Sequence, residues 1–255
     1  MCRWLAYNGH PVFLDSLLFD AEHSLIEQSL HARKAVTTIN GDGFGVAWYG
    51  EREKPGLFRD ILPAWNDSNL KSIAHQIKSG LFFAHVRAST GTPISRENCH
   101  PFAYKNWVFM HNGQIGEYHK VRHDLEMTLS DDLFPSRLGS TDSELILLLM
   151  VMHGLEENPL KAIQKTIAQI LNVMQKHDVK EALRFTACLS SGTETIAIRF
   201  ANDEHAPSLY TCHQDHAILV ASEPLNDAGL DWCSLGQGMY LYIKDGASQQ
   251  LRFKI

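Results

Sequence analysis

The 255-residue sequence lacks the features that most quickly assign a function. It has no basic block: 23 Lys and Arg stand against 29 Asp and Glu, a net charge of −6, so a nucleic-acid footprint is absent. It has no long apolar run. The longest, Leu145 to Met152, falls far short of the ~20 residues a membrane helix needs. The opening Met1-Cys2-Arg3-Trp4-Leu5 lacks the basic region and long apolar stretch of a secretory signal. Cysteine is sparse, with Cys2, Cys99, Cys188, Cys212 and Cys233 scattered and odd in number. That argues against a disulfide framework and for a reducing compartment, so a cytoplasmic protein is expected. No Pro/Gly/Ser-rich linker and no internal repeat divides the chain, and residues 1–255 are expected to form one domain. Histidine is plentiful, but the close groupings, His119 with His123 and Cys212 with His213 and His216, lack a convincing third ligand. No metal and no cofactor is expected.

What is present reads as mixed helix and sheet. Residues 3–8 read as a strand ending at Asn8-Gly9. Ser24 with Glu27 predicts a capping box opening a helix through about Arg33. Phe44 to Tyr49 reads as a strand after the glycine-rich Asn40–Gly43, and 66–79 as a helix stopped by Gly80. Leu81 to Arg87 and Trp107 to His111 have the apolar, aromatic character of buried strands. Thr141 with Glu144 predicts a second capping box ahead of the helix of Leu145 to Met152. Pro159 to Lys176 is amphipathic, with Leu160, Ile163, Ile167, Ile170, Leu171 and Met174 on one side. Strands are expected at 183–190, 194–201, 217–221, 239–243 and 249–254. Central helices flanked by strands favour an α+β layered sandwich over a βαβ repeat.

Cys2 is the most informative residue. Loss of Met1 would leave a thiol and a free α-amine on one residue, so the amine could act as base for the nucleophile. Free thiols titrate near about 8.5 and α-amines near about 7.7–8.0, which suits that exchange. Four further stretches carry polar groups beside apolar runs. In His85-Val86-Arg87-Ala88-Ser89-Thr90-Gly91, a strand-end arginine could grip a carboxylate with its planar fork, or form a surface salt bridge. In Asn98-Cys99-His100-Pro101-Phe102, His100 reads as a structural hydrogen-bonder before a general acid or base. In His111-Asn112-Gly113-Gln114, an amide and a glycine N–H could supply two donors to one oxyanion, or simply turn the chain. In Ser140-Thr141-Asp142-Ser143-Glu144, Asp142 could complement the helix dipole or accept a substrate ammonium. The four cysteines beyond Cys2 read as small buried hydrophobes.

In this order, Cys2, Arg87-x-x-Thr90, His100-Pro101, His111-Asn112-Gly113 and Thr141-Asp142-Ser143-Glu144 resemble the motifs of class II glutamine amidotransferases. These are N-terminal-nucleophile hydrolases with a four-layer αββα sandwich. The resemblance covers roughly residues 2–150. The opening Met-Cys-Arg-Trp-Leu-Ala-Tyr and residues 40–49 are similar to stand-alone members, including an amidase subunit of glutathione degradation and a γ-glutamyl hydrolase of ergothioneine synthesis. The resemblance implies Cys2 as nucleophile with its α-amine as base, and Asn112 and Gly113 as the oxyanion hole. It implies Arg87 at the substrate α-carboxylate, Thr90 at a further glutamyl contact and Asp142 at the α-amine. His100 matches a pocket position of open role. One departure is visible: Gly91 follows Thr90 where synthase-linked relatives tend to carry histidine. Ser222-Glu223-Pro224-Leu225 resembles a late family tract and is assigned a structural role.

The expected activity is hydrolysis of a γ-glutamyl amide in glutamine or a γ-glutamyl small molecule. The sequence shows no synthase domain to use ammonia. The alternatives are a glutaminase subunit serving a separate synthase or peptidase partner, and a non-catalytic γ-glutamyl-binding module.

Overall fold

A computed structural model describes residues 2–34, 39–89, 91–214, 216–227 and 231–255. Its strands form two antiparallel sheets. The seven-stranded sheet contains β1 (Arg3–Phe13), β2 (Phe44–Tyr49), β3 (Gly56–Asp60), β4 (Lys78–Val86), β9 (Tyr210–Gln214), β10 (Ala217–Ala221) and β11 (Cys233–Ser234), in the order β11-β9-β10-β1-β4-β2-β3. The six-stranded sheet contains β5 (Phe102–Tyr104), β6 (Trp107–Gln114), β7 (Arg184–Ser190), β8 (Glu194–Ala201), β12 (Met239–Lys244) and β13 (Ala247–Arg252), in the order β13-β12-β8-β7-β6-β5.

Side-chain alternation makes these sheets the middle of a sandwich. On β1, Trp4 and Ala6 face the second sheet, while Leu5 and Tyr7 face the other way. On β4, Phe83 faces inward and Phe82, Ala84 and Val86 outward. On β6, Val108 and Met110 point inward and Trp107 and Phe109 outward. The outer face of the first sheet is covered by α1 (Asp15–Leu18), α2 (Leu25–Leu30) and α3 (Ser68–Gln76), which bury Leu18, Leu25, Leu70 and Ala74. The outer face of the second is covered by α4 (Tyr118–Glu126), α5 (Asp142–Met152) and α6 (Pro159–Lys176). The result is the expected αββα layering. Among the described residues no helix is long and apolar enough to cross a membrane.

Several local expectations are corrected. Gly80 does not stop a helix; it lies inside β4, where a Cβ would stand 2.7 Å from the Gly9 carbonyl oxygen. β1 runs past Asn8 to Phe13, with its register shifting between Asn8 and Val12. The capping boxes are half-formed. Ser24 and Thr141 accept the Glu27 and Glu144 amides, but the two carboxylates do not turn back. Glu27 goes to His31, and Glu144 to Arg137 and the Leu138 and Gly139 amides. Cys233 is exposed rather than buried.

Candidate active site

The same alternation gathers the predicted residues at one end of the sandwich. Arg3 pairs with Val86 across β1 and β4, so one further step puts Cys2 opposite Arg87. By the two-residue period, Cys2 shares the inward face with Trp4, and Arg87 shares it with Phe83. Asn112 shares the inward face of β6 with Met110. Cys2 is half-buried, and its Sγ lies 3.4 Å from the Ala88 amide nitrogen. A cavity of about 610 Å³ opens there, lined by Cys2, Arg87, His100, Gly113 and Asp142 among others.

Arg87 is buried, yet its partners are all neutral. Its Nη2 donates to Thr92 Oγ1 at 2.7 Å, Ser89 Oγ at 3.2 Å and the Pro93 carbonyl at 3.3 Å. Its Nη1 reaches the Asp42 carbonyl at 3.3 Å. No carboxylate pairs with it among the described residues, so this is a held positive charge rather than a surface salt bridge. Asp42 braces the same loop by accepting the Ser89 amide at 2.7 Å. Thr90 lies outside the described residues.

Asn112 and Gly113 are not a turn. They lie within β6, paired with Thr186 and Phe185 of β7. Gly113 needs its missing side chain, since a Cβ would collide with the Arg184 carbonyl. Asn112 Nδ2 is buried without a partner among the described residues. A buried donor left without a partner is costly. Asn112 itself is not on the cavity lining, whereas Gly113 is.

Asp142 opens α5, and its carboxylate does more than complement the helix dipole. Oδ1 accepts the Ser143 amide and Oδ2 accepts the Ile115 amide just after β6, both at 2.8 Å. The helix terminus is thereby fixed to the strand that carries Asn112 and Gly113.

His100 departs from expectation. Neither ring nitrogen has a hydrogen-bond partner among the described residues. The ring instead stacks on His85, centroids 4.2 Å apart, and meets Phe102 edge-on at 4.5 Å. Burial, with the Arg87 charge nearby, pushes His85 down to about 3. Burial and the neighbouring His85 hold His100 well below the ordinary histidine value. Two neutral rings can stack face to face without charge repulsion. Gly45 makes room for this segment, because a Cβ there would collide with the His100 carbonyl.

Sequence reasoning passed over His85, His111, Ser143 and Arg3. Arg3 is fully buried; its Nη1 bonds Glu223 Oε1 at 2.9 Å, and Glu223 also accepts the Arg33 and Lys34 amides. Ser222 Oγ accepts the Trp4 amide at 3.1 Å. The Ser222-Glu223 tract therefore fixes the strand that presents Cys2. For Arg3 a signal existed: a charged residue inside an otherwise apolar strand needs a buried partner. Away from the cavity, Glu22, His23 and Asp227 come together closely enough to suggest a cation site. Arg33, however, bonds both Asp227 oxygens at 3.0 and 3.1 Å, which makes the cluster an ion-pair group.

Residues 16–205 match the family model of glutamine amidotransferases class-II. The chain is 33% identical over 294 residues to the probable glutamine amidotransferase DUG3 of Saccharomyces cerevisiae, covering 96% of this chain and 82% of that one. It is 26% identical to the gamma-glutamyl-hercynylcysteine sulfoxide hydrolase of Mycolicibacterium smegmatis, covering 89% of each. Among solved structures, a glutamine aminotransferase class-II domain protein from Silicibacter pomeroyi superposes with a TM-score of 0.80 at 36% identity, covering 99% of both chains. The Bacillus subtilis glutamine phosphoribosylpyrophosphate amidotransferase shares the fold at TM-score 0.72 and 19% identity, over 50% of its length. The chain belongs to the class II glutamine amidotransferases and is an enzyme of that family.

Proposed function

We propose that this enzyme hydrolyses the γ-glutamyl amide bond of a γ-glutamyl compound through a thioester on Cys2. After removal of Met1, which lies outside the described residues, the Cys2 α-amine takes the thiol proton. Sγ bonds the γ-carbonyl carbon, and the tetrahedral oxyanion is stabilised by Asn112 and Gly113. The C–N bond breaks, and the proton held by the α-amine leaves with ammonia or the amine. Water then adds to the thioester, releasing glutamate and restoring the thiol. Arg87 binds the substrate α-carboxylate and Asp142 its α-ammonium. Thr90 supplies a further glutamyl contact, and His100 forms part of the pocket wall.

One observation carries this reading. A half-buried Cys2, a buried Arg87 without an acidic partner among the described residues and an Asp142 held by backbone amides line one cavity. Those groups complement the reacting centre and the two charged ends of an α-amino acid. The cavity, about 610 Å³, falls in the range that holds drug-sized ligands. It has room for a leaving group larger than ammonia, which favours a γ-glutamyl conjugate over free glutamine.

The test is a panel of glutamine, γ-glutamyl peptides and γ-glutamyl thioethers assayed for released glutamate. A γ-glutamyl conjugate is expected to give the highest kcat/KM. Arg87→Ala should cost about 2–5 kcal/mol in transition-state binding on a γ-glutamyl anilide. It should cost little on the 4-aminobutyryl anilide, which lacks the α-carboxylate. Equal losses on both would remove Arg87 from the carboxylate site.

A further inference from the structure

A chain of contacts runs behind Asp142. His111 Nε2 lies 3.0 Å from the Arg184 carbonyl oxygen, and His111 Nδ1 lies 2.8 Å from Ser143 Oγ. Ser143 Oγ lies 3.2 Å from Asp142 Oδ1. His111, Ser143 and Asp142 all line the cavity that holds Cys2.

The direction of each hydrogen bond follows from one fixed end. A carbonyl oxygen only accepts, so His111 Nε2 carries the hydrogen. The ring is buried, which holds it below the ordinary histidine value and in its neutral form. A neutral imidazole with hydrogen on Nε2 has a bare lone pair on Nδ1. Ser143 must therefore donate its hydroxyl hydrogen to His111. A hydroxyl has one hydrogen and two acceptor lone pairs. With the hydrogen spent on His111, Ser143 presents lone pairs toward Asp142 Oδ1 and the cavity. Ser143 Oγ and Asp142 Oδ1 stand 3.2 Å apart, a distance at which the hydroxyl could donate to the carboxylate; with its one hydrogen committed to His111 the two face each other as acceptors. That arrangement calls for a donor reaching both, and an ammonium nitrogen offers three.

We infer that Ser143 Oγ is a second acceptor for the substrate α-ammonium beside Asp142, held in its accepting orientation by His111 and the Arg184 carbonyl. Ser143 thus sets specificity, and His111 is a positioning residue. The pair distinguishes a protonated α-amine from a hydrogen or an acylated nitrogen at the same carbon. The inference rests on the γ-glutamyl reading of the site.

The experiment compares γ-glutamyl p-nitroanilide with glutaryl p-nitroanilide, which lacks only the α-amine. Hydrogen bonds to charged groups have a size that predicts a loss of about 10- to 100-fold in kcat/KM for Ser143→Ala on the γ-glutamyl substrate, mainly through KM. The glutaryl substrate should be hydrolysed as by wild type, and Ser143→Thr should restore the preference. A purely structural Ser143 would lower both substrates alike, and that result would overturn the assignment. Long-range ¹H–¹⁵N spectra of the wild-type protein need no variant. They should show His111 with its hydrogen on Nε2, and hydrogen on Nδ1 would also overturn it. Hydrolysis of neither substrate by wild type would instead remove the γ-glutamyl reading beneath it.

Discussion

Asn112 and Gly113 carry the sharpest claims at the scale of single residues. Under the proposed mechanism Asn112 Nδ2, without a partner among the described residues, gains most when the substrate oxygen becomes negative, so its removal acts on chemistry more than binding. Asn112→Ala should lower kcat by about 10²–10³ and leave KM nearly unchanged; steady-state kinetics on the best substrate checks this. The buried histidines make a second prediction. The folded-state values of His85 and His100 are depressed, so the unfolded chain binds their protons first. Their stabilising contribution is complete above about 6.5 and is lost as pH falls from there toward about 3, the folded value of His85. Carboxylates titrate ordinarily near about 4, so the slope between about 6.5 and 5 belongs largely to histidine. Urea midpoints should fall across that interval. His100→Phe, which keeps the stacked ring and removes the proton, should flatten the fall, and an unchanged slope would contradict the assignment.

The helices differ in how much of the site they hold. The N-terminus of α5 is built by Thr141, which caps it, and by Glu144, which turns outward to Arg137 at 2.7 Å. Arg137 is 5% exposed and also contacts Glu126 at 3.2 Å. Glu144→Ala would leave a buried guanidinium with a weaker partner and free the Leu138 and Gly139 amides. A loss of about 3 kcal/mol is expected, the low end for a broken buried pair because Glu126 remains. The urea denaturation midpoint measures it. The elements legible in the sequence are those with a strong period or an unbroken apolar run. α6 buries Ile163, Ile167, Ile170 and Met174 as its pattern predicts. α4 was not legible. It buries only Val121 and Leu125, and it starts at Glu117 in a left-handed conformation without a capping side chain. β5 has three residues and β11 two, too few for a period to show. β3 is an edge strand with a single polar-apolar mix, Gly-Leu-Phe-Arg-Asp. Residues that the structure places on the cavity were legible where their chemistry is unusual for their place, as in Cys2, Arg87 and Asp142. Ser143 and His111 were not, because what joins them is a contact between β6 and α5, 32 residues apart in the chain.

In the whole molecule, two sheets packed face to face bring three separate strand ends and one helix terminus to a common cavity. Cys2 precedes β1, Arg87 follows β4, Gly113 lies near the end of β6 and Asp142 opens α5, and all four line the cavity. The other thiols are placed differently. Burial pushes Cys99 up to about 11 and Cys188 well above the ordinary thiol value, so neither is a ready nucleophile. Cys233 is exposed but far in sequence from every cavity-lining residue named here. A glutamine-like electrophile therefore separates recognition from mere thiol exposure. The most direct measurement is mass-spectrometric mapping of the adduct formed with a diazo-ketone analogue of glutamine, with and without excess substrate. A single adduct on Cys2, on a chain lacking Met1 and suppressed by substrate, is the predicted result. Adduct on Cys99, Cys188 or Cys233 with Cys2 untouched would contradict the account.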